Sequence, residues 1–396
     1  MADFSELRAA LVARQQAQRY RTRLTQAAPC GRWADVDGER LLNFSSNDYL
    51  GLASDARVRT AFQRGVACHG VGSGASHLVC GHSSVHQALE DALADAVGQP
   101  RALLFSSGYM ANYGVLTALL RSGDAVFQDR LNHASLLDGG LASGARFRRY
   151  PHNDAATLGE WLATSSAPRR LVVTDGVFSM DGDVAPLAAL AAASERHNAW
   201  LMVDDAHGFG VLGSDGAGSV AAAGVAPQQV AVHMATLGKA LGVYGAFVAG
   251  DEALIDYLIQ FSRPYIYTTA LPPALASAAL TALTLMQTEP WRRDKLRALG
   301  AEFQRGLADL GLPPTGSDTA IQPIVLGDDR RTLQVAQRLR AAGLLVGAIR
   351  PPTVPDGAAR LRVTLSASHE LADVRLLLTA LERALASPGP AASESR

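Results

Sequence analysis

The sequence predicts an α/β protein in which a mostly parallel, helix-covered sheet is followed by a smaller α/β domain. Short apolar runs ("RALLF", "DAVFQD", "RLVVTD", "AWLMVDD", "QVAVHMAT" and "YGAFVAG") alternate with helical patterns such as "SSVHQALEDALADAVG". Strands that read as continuous apolar runs between helices belong to sheets covered on both faces. After "ALASAALTALTLMQ" the pattern shifts to two helical stretches, "IQPIVLG", a helix, "LLVGAIR", "RLRVTLS" and a last helix, which suggests a second, smaller domain. A chain of 396 residues with 48% hydrophobic content is long enough for one large core and a satellite.

In chain order, residues 3 to about 25 read as an amphipathic, charged helical arm, and "ERLLNFSSNDYLGL" follows as an extended piece with turn formers around Asn47. The expected division is an N-terminal arm and extended segment (1–55), a large domain (56–289), a small domain (290–385) and a Pro-, Ala- and Ser-rich disordered tail (386–396). A formal net charge of -1 with mixed signs lacks the footprint of a nucleic-acid or anionic-membrane binder. Cys30, Cys68 and Cys80 are too few and too scattered for a disulfide framework. The N-terminus lacks the apolar region of a secretion signal, and no run reaches membrane-spanning length. The expectation is a soluble, cytoplasmic protein acting on small solutes.

In open parallel sheets, ligand-binding groups collect past the C-terminal ends of strands, and several motifs fall there. "LLFSSGYMANYG" turns a strand into a helix at Ser107 and Gly108, and the N–H groups of a helix N-terminus suit phosphate; alone it reads equally as an ordinary turn. "QDRLNHASLLDG" puts His133 past a strand, able to stack on a flat ligand or exchange a proton, although a lone histidine is more often structural. "VVTDGVFSMDGDVAPL" offers Asp175, Ser179 and Asp181, but with no His or Cys at ligand spacing no metal centre is expected. "AWLMVDDAHGFGVLG" runs an apolar strand into Asp204 and Asp205, then His207. A carboxylate at the inner end of such a strand is costly unless it meets a cation.

The stretch "ATLGKALGVYGAF" adds Lys239, just past another apolar strand and Thr236. By itself Lys239 reads as a surface residue. A ligand with a phosphate, a planar ring and a cationic ring nitrogen satisfies all these groups together, and pyridoxal phosphate is such a molecule. A lysine bonds its aldehyde, a carboxylate pairs with its pyridinium nitrogen and a helix N-terminus holds its phosphate.

With these motifs in place, the chain resembles the α-oxoamine synthases, a fold-type-I pyridoxal-phosphate-dependent transferase family. The resemblance runs from about residue 20 to 385 and rests on "NFSSNDYLGL", "GVGSGASHLVCGHSSVHQALE", "FSSGYMAN", "LNHASLLDG", "VFSMDGDVAPL", "VDDAHGFGVLG", "TLGKALG", "YIYTTALPP" and "RPPTVPDGAARLRVTLSASHE". It implies a seven-stranded, mostly parallel sheet and a homodimer with the site at its interface. It also implies Lys239 bonded to the cofactor, Asp204 on the pyridinium nitrogen, His133 stacked on the ring and His207 on the ring hydroxyl. Ser179, Thr236 and the backbone of Gly108 and Tyr109 would surround the phosphate, with Thr268 or Thr269 of the second copy. Arg21, Asn47, Thr353 and Arg362, the last favoured over Arg360, would bind substrate together with His133.

The implied reaction is a decarboxylative condensation of an amino acid with an acyl thioester. His77 stands where relatives that make aminolevulinate, aminoketobutyrate or ketosphinganine usually carry arginine. With "RPPTVP", that departure favours L-alanine and a pimeloyl thioester, on coenzyme A or on acyl carrier protein. The alternatives are a synthase joining glycine to another acyl thioester, an aminotransferase, and a scaffold that has lost its chemistry.

Overall fold

The computed structural model describes residues 3–386. Among them, no helix is long and apolar enough to cross a membrane. The chain opens with α1 (Ser5–Gln16), β1 (Trp33–Val36) and β2 (Glu39–Asn43), then α2 (Ala56–His69) and α3 (Ser84–Val97). The central run is β3 (Arg101–Phe105), α4 (Gly108–Leu119), β4 (Ala125–Asp129), α5 (Ala134–Ala142), β5 (Arg146–Tyr150), α6 (Ala155–Ala163), β6 (Arg170–Asp175), α7 (Leu187–Arg196), β7 (Trp200–Asp204), α8 (Ser219–Ala222), β8 (Val232–Thr236) and β9 (Ala246–Gly250). The chain continues with α9 (Glu252–Phe261), α10 (Arg263–Ile266), α11 (Pro273–Thr288), α12 (Trp291–Asp309), β10 (Ile321–Gly327), α13 (Asp329–Ala341), β11 (Leu344–Leu345), β12 (Gly347–Ile349), β13 (Ala359–Thr364) and α14 (Leu371–Ala386).

Two compact units result: one of Asp48–Ser179 with Asp183–Lys295, the other of residues up to Asn47, Met180–Gly182 and the chain from Leu296 onward. The N-terminal segment, set apart by sequence pattern, thus folds with the C-terminal unit, because β2 pairs in parallel with β11. Its helix stops at Gln16, short of residue 25. Gln18 takes a left-handed φ of 56°, and Arg19 ties the next stretch to Asp329 and Asp356. The expected tail beyond Ala386 lies outside the described residues.

The larger unit holds a seven-stranded sheet in the order β3-β9-β8-β7-β6-β4-β5. It is parallel except where β9 runs against β3 and β8. Successive strand residues point to opposite faces, so Val126, Leu171, Val173 and Met202 enter one core while Phe127, Val172, Leu201 and Val203 enter the other. Each such buried side chain contributes about 1.5–3 kcal/mol. The strand absent from the apolar runs is β5, "RFRRY", an edge strand that exposes three arginines. Parallel strands bring Asp175, Asp204 and Thr236 to one edge of the sheet, where Asp175 and Asp204 are register partners.

The smaller unit carries two three-stranded sheets, β1-β2-β11 and β10-β13-β12, so "LLVGAIR" is divided between them. The two helical stretches expected at its start are one helix, α12. Gly306 within it is a close approach, since a Cβ there would lie 2.1 Å from Leu378 Cδ1.

A charged clasp ties the sheet edge to the turn after β6. His152 donates from Nδ1 to Asp129 at 3.0 Å and from Nε2 to Asp183 at 2.7 Å. Burial alone would lower its pKa, but the two carboxylates outweigh burial and push it up to about 10. A raised folded-state pKa contributes stability that is complete below the unfolded value and disappears as pH rises through the folded one. His152→Gln should therefore lose about 1–3 kcal/mol at pH 7, a loss that shrinks as urea unfolding is repeated toward and beyond pH 10.

Candidate active site

Asp204, the last residue of β7, is 3% exposed. Its Oδ2 accepts from Asn112 Nδ2 at 2.7 Å and its Oδ1 from the Ala206 N–H at 3.0 Å. Among the described residues, no cation forms an ion pair with it. Asn112 lies on α4 and also donates to Ser135 Oγ at 2.9 Å, while its own Oδ1 is buried without a hydrogen-bond partner. The Asn112 amide and the Ala206 N–H thus orient the carboxylate.

His133 caps α5. Its Nδ1 accepts from the Ser135 N–H at 3.3 Å and contacts Ser135 Oγ at 2.7 Å, which leaves the ring proton on Nε2. Its backbone N–H donates to Asp175 Oδ2 at 2.7 Å. Packing around the ring pulls His133 below the usual histidine range; Asp204 opposes that shift and Lys239 adds to it. Asp175 is pushed well above the carboxylate range, first by burial and then by the charge of Asp204. Two buried carboxyls side by side cannot both ionise cheaply, which favours the protonated form of Asp175.

Lys239 is half-buried on the loop from β8 to β9, and its Nζ lies 3.0 Å from His207 Nε2. His207 Nδ1 lies 2.6 Å from the Tyr49 hydroxyl, and both of those residues are buried. The amine, the imidazole and the phenol form one hydrogen-bonded chain. Asp205, adjacent to Asp204, accepts from the Ser219 backbone at 2.8 Å and from its hydroxyl at 2.6 Å.

At the expected phosphate end, Gly108 and Tyr109 are the first residues of α4, with Ser107 as the cap. The Tyr109 phenol donates to Asp138. Thr236, also expected near the phosphate, pins the Lys239 loop: its hydroxyl donates to the Gly245 carbonyl at 2.9 Å and accepts from the Gly238 N–H at 3.1 Å. Ser179 follows β6, and Thr269 bridges Ser76 in the stretch between α10 and α11 that also holds Thr268.

In the smaller unit the four expected substrate residues form two pairs. Arg21 donates to Thr353 Oγ1 at 3.0 Å, and Arg362 donates to Asn47 Oδ1 at 3.1 Å and to Thr364 Oγ1 at 3.0 Å. Arg360 lies against the Asp181 carboxylate, which accounts for that acid as an ion-pair partner. A cavity of about 540 Å³ is lined by residues that include Arg21, Arg350 and Thr353. Sequence reasoning missed Asn112, Tyr49 and Ser135. Asn112 left a trace, as a polar residue four positions past Gly108 in an otherwise apolar helix.

A buried carboxylate at a strand end, a lysine whose charge acts on the neighbouring His133 and Asp175, and helix N–H groups match the donors that pyridoxal phosphate needs, so the residues present fit the cofactor. Fold and site together define a pyridoxal-phosphate-dependent transferase. Residues 39–381 match the model for aminotransferase class I and II. The chain is 60% identical over 371 residues to 8-amino-7-oxononanoate synthase of Alcanivorax borkumensis, covering 94% of this chain and 96% of that one. Among solved structures it is similar to a serine palmitoyltransferase from S. paucimobilis with PLP and myriocin bound (TM-score 0.90, 29% identity, 96% and 97% covered). It is also similar to 8-amino-7-oxononanoate synthase from Francisella tularensis (TM-score 0.76, 31% identity, 87% and 98% covered). The chain belongs to the class I and II aminotransferase family and, within it, to the 8-amino-7-oxononanoate synthases.

Asn112→Ala should remove a hydrogen bond to a charged group, worth about 1.5–3 kcal/mol, and so weaken cofactor binding roughly 10- to 100-fold. Cofactor titration followed by absorbance, with circular dichroism as the folding control, measures this.

Proposed function

We propose that this chain condenses L-alanine with a pimeloyl thioester, on coenzyme A or acyl carrier protein, to give 8-amino-7-oxononanoate, carbon dioxide and the thiol carrier. The observation that carries this reading is the 60% identity, over 94% of the chain, to a synthase of that name. When bound, pyridoxal phosphate supplies an aldehyde that takes an amine in covalent linkage and a protonated ring that accepts the electron pair left at an α-carbon.

Lys239 would hold the cofactor covalently, and Asp204 would keep the proton on its ring nitrogen. The backbone of Gly108 and Tyr109, Ser179, and Thr268 or Thr269 from a second copy of the chain would surround the phosphate. Lys239 would also serve as general base toward the α-proton of the amino-acid substrate, with His207 Nε2 at 3.0 Å to take a proton from its ammonium. His133, with its proton on Nε2, would cover the cofactor ring and polarise the thioester carbonyl. Arg362 binds a substrate carboxylate by charge-assisted hydrogen bonds. Arg21 and Thr353, in the arginine-lined cavity, suit the far carboxylate of the pimeloyl chain.

Lys239→Ala should abolish turnover while leaving noncovalent cofactor binding, and borohydride reduction of the parent protein should label the peptide containing Lys239 and no other. Release of carbon dioxide with alanine and pimeloyl thioester, but not with glycine and acetyl, succinyl or long-chain thioesters, separates this reading from the other synthases and from transamination. Arg362→Ala should raise KM for substrate roughly tenfold or more, the loss expected for a charge-assisted contact, whereas Arg360→Ala acts mainly on stability.

A further inference from the structure

Three imidazoles meet outside this machinery. His77 belongs to a π-helical turn, His77–Gly81, His82 follows it, and His86 lies in the first turn of α3. A ligating atom of each lies within 4.8 Å of those of the other two. The ring centroids form a nearly equilateral triangle with sides of 5.2, 5.2 and 5.6 Å. Tyr265 stacks on His77 at 5.0 Å and 13°, which fixes that ring. His86 Nε2 donates to the Leu271 carbonyl at 2.6 Å. Metal-bound histidines are commonly held this way, with one N–H on a carbonyl and the lone pair on the other nitrogen. The Nδ1 atoms of His77 and His82 are 2.9 Å apart, so at least one is unprotonated.

We propose that His77, His82 and His86 form a binding site for a divalent transition-metal ion of the zinc or nickel class, separate from the pyridoxal phosphate site. Imidazole nitrogen suits these ions, whereas magnesium and calcium require oxygen. Zinc–nitrogen bonds of ~2.0–2.1 Å place tetrahedral ligand nitrogens about 3.3 Å apart, and the present separations run from 2.9 Å up to 4.8 Å. Ring rotation closes that difference. His82 is partly exposed and gives the ion an entry path. Coordination by His86 Nδ1 exchanges its contacts with the Ser83 N–H and hydroxyl, at 3.0 and 3.1 Å, for a metal bond. The ion would then tie residues 77–86 to the Leu271 carbonyl, on which Ser73 Oγ also rests at 2.7 Å, just past Thr268 and Thr269.

The test uses untagged, pyridoxal-phosphate-loaded protein equilibrated with zinc chloride, with bound metal quantified by elemental mass spectrometry and the thermal midpoint recorded. Expected are one zinc per chain, a raised midpoint, no uptake of magnesium, and affinity weakened roughly tenfold or more in His77→Gln and in His82→Gln. Absence of zinc uptake by the parent chain overturns the proposal. So does undiminished uptake by the double variant His77→Gln/His82→Gln with its cofactor absorbance intact.

Discussion

The arrangement of the larger unit depends on one unfavourable act, the burial of the Asp204 carboxylate. Withdrawing such a charge from water costs several kcal/mol even after the surroundings relax. The fold compensates in part, through the Asn112 amide and the Ala206 N–H. The neighbouring groups adjust as well. Asp175, its register partner, is driven toward the protonated form, and its Oδ2 holds the backbone of His133. His133 is pulled toward neutrality, which suits the stacking role proposed for its ring. A cationic ring nitrogen, the partner proposed for Asp204, would supply the remaining balance.

The two consecutive aspartates divide chemistry from architecture. Strand periodicity sends successive side chains to opposite faces; while Asp204 turns to Asn112, Asp205 turns the other way and takes both donors of Ser219. The space around Asp205 is bought with glycine. A Cβ at Gly218 would lie 1.8 Å from Asp205 Oδ2, and one at Gly208 would lie 2.1 Å from its Oδ1. The glycine after His207 in "DDAHGFG" therefore has a steric cause independent of catalysis. It also fixes where His207 leaves the backbone, and so its place between Tyr49 and Lys239.

What could be read from the sequence follows from how local the determining physics is. Apolar runs ending in acids and the lysine past a strand revealed the sheet and the groups around Asp204, because strand period and burial cost act over a few residues. The edge strand "RFRRY" carries arginine in place of an apolar run, so its pairing shows only once β4 is beside it. The union of N- and C-terminal segments rests on the β2–β11 pairing, across roughly three hundred residues, which no local pattern announces. Asn112, Ser135 and Tyr49 matter only through partners on other elements. The three histidines of "SHLVCGHSSVH" meet only because a π-helical turn and α3 fold them together.

Thr236 shows how the site reconciles a fixed backbone with a side chain that must change partners. Its hydroxyl holds both Gly245 and Gly238, Val243 N–H returns to the Leu237 carbonyl, and Gly242 N–H returns to Lys239 itself. Gly242 and Gly245 take φ values of 68° and 110° that other residues rarely adopt. At Gly242 a Cβ would also fall 2.3 Å from the Ala53 backbone nitrogen. The groups held are on the main chain of the loop, in part by the Thr236 hydroxyl, while the Lys239 amine lies 3.0 Å from the His207 imidazole. Such a division suits the roles proposed for Lys239: the loop sets the position of Cα, and the flexible stem supplies the travel. The glycines of "TLGKALGVYGAF" are the means by which a tight, rigid turn carries a movable base.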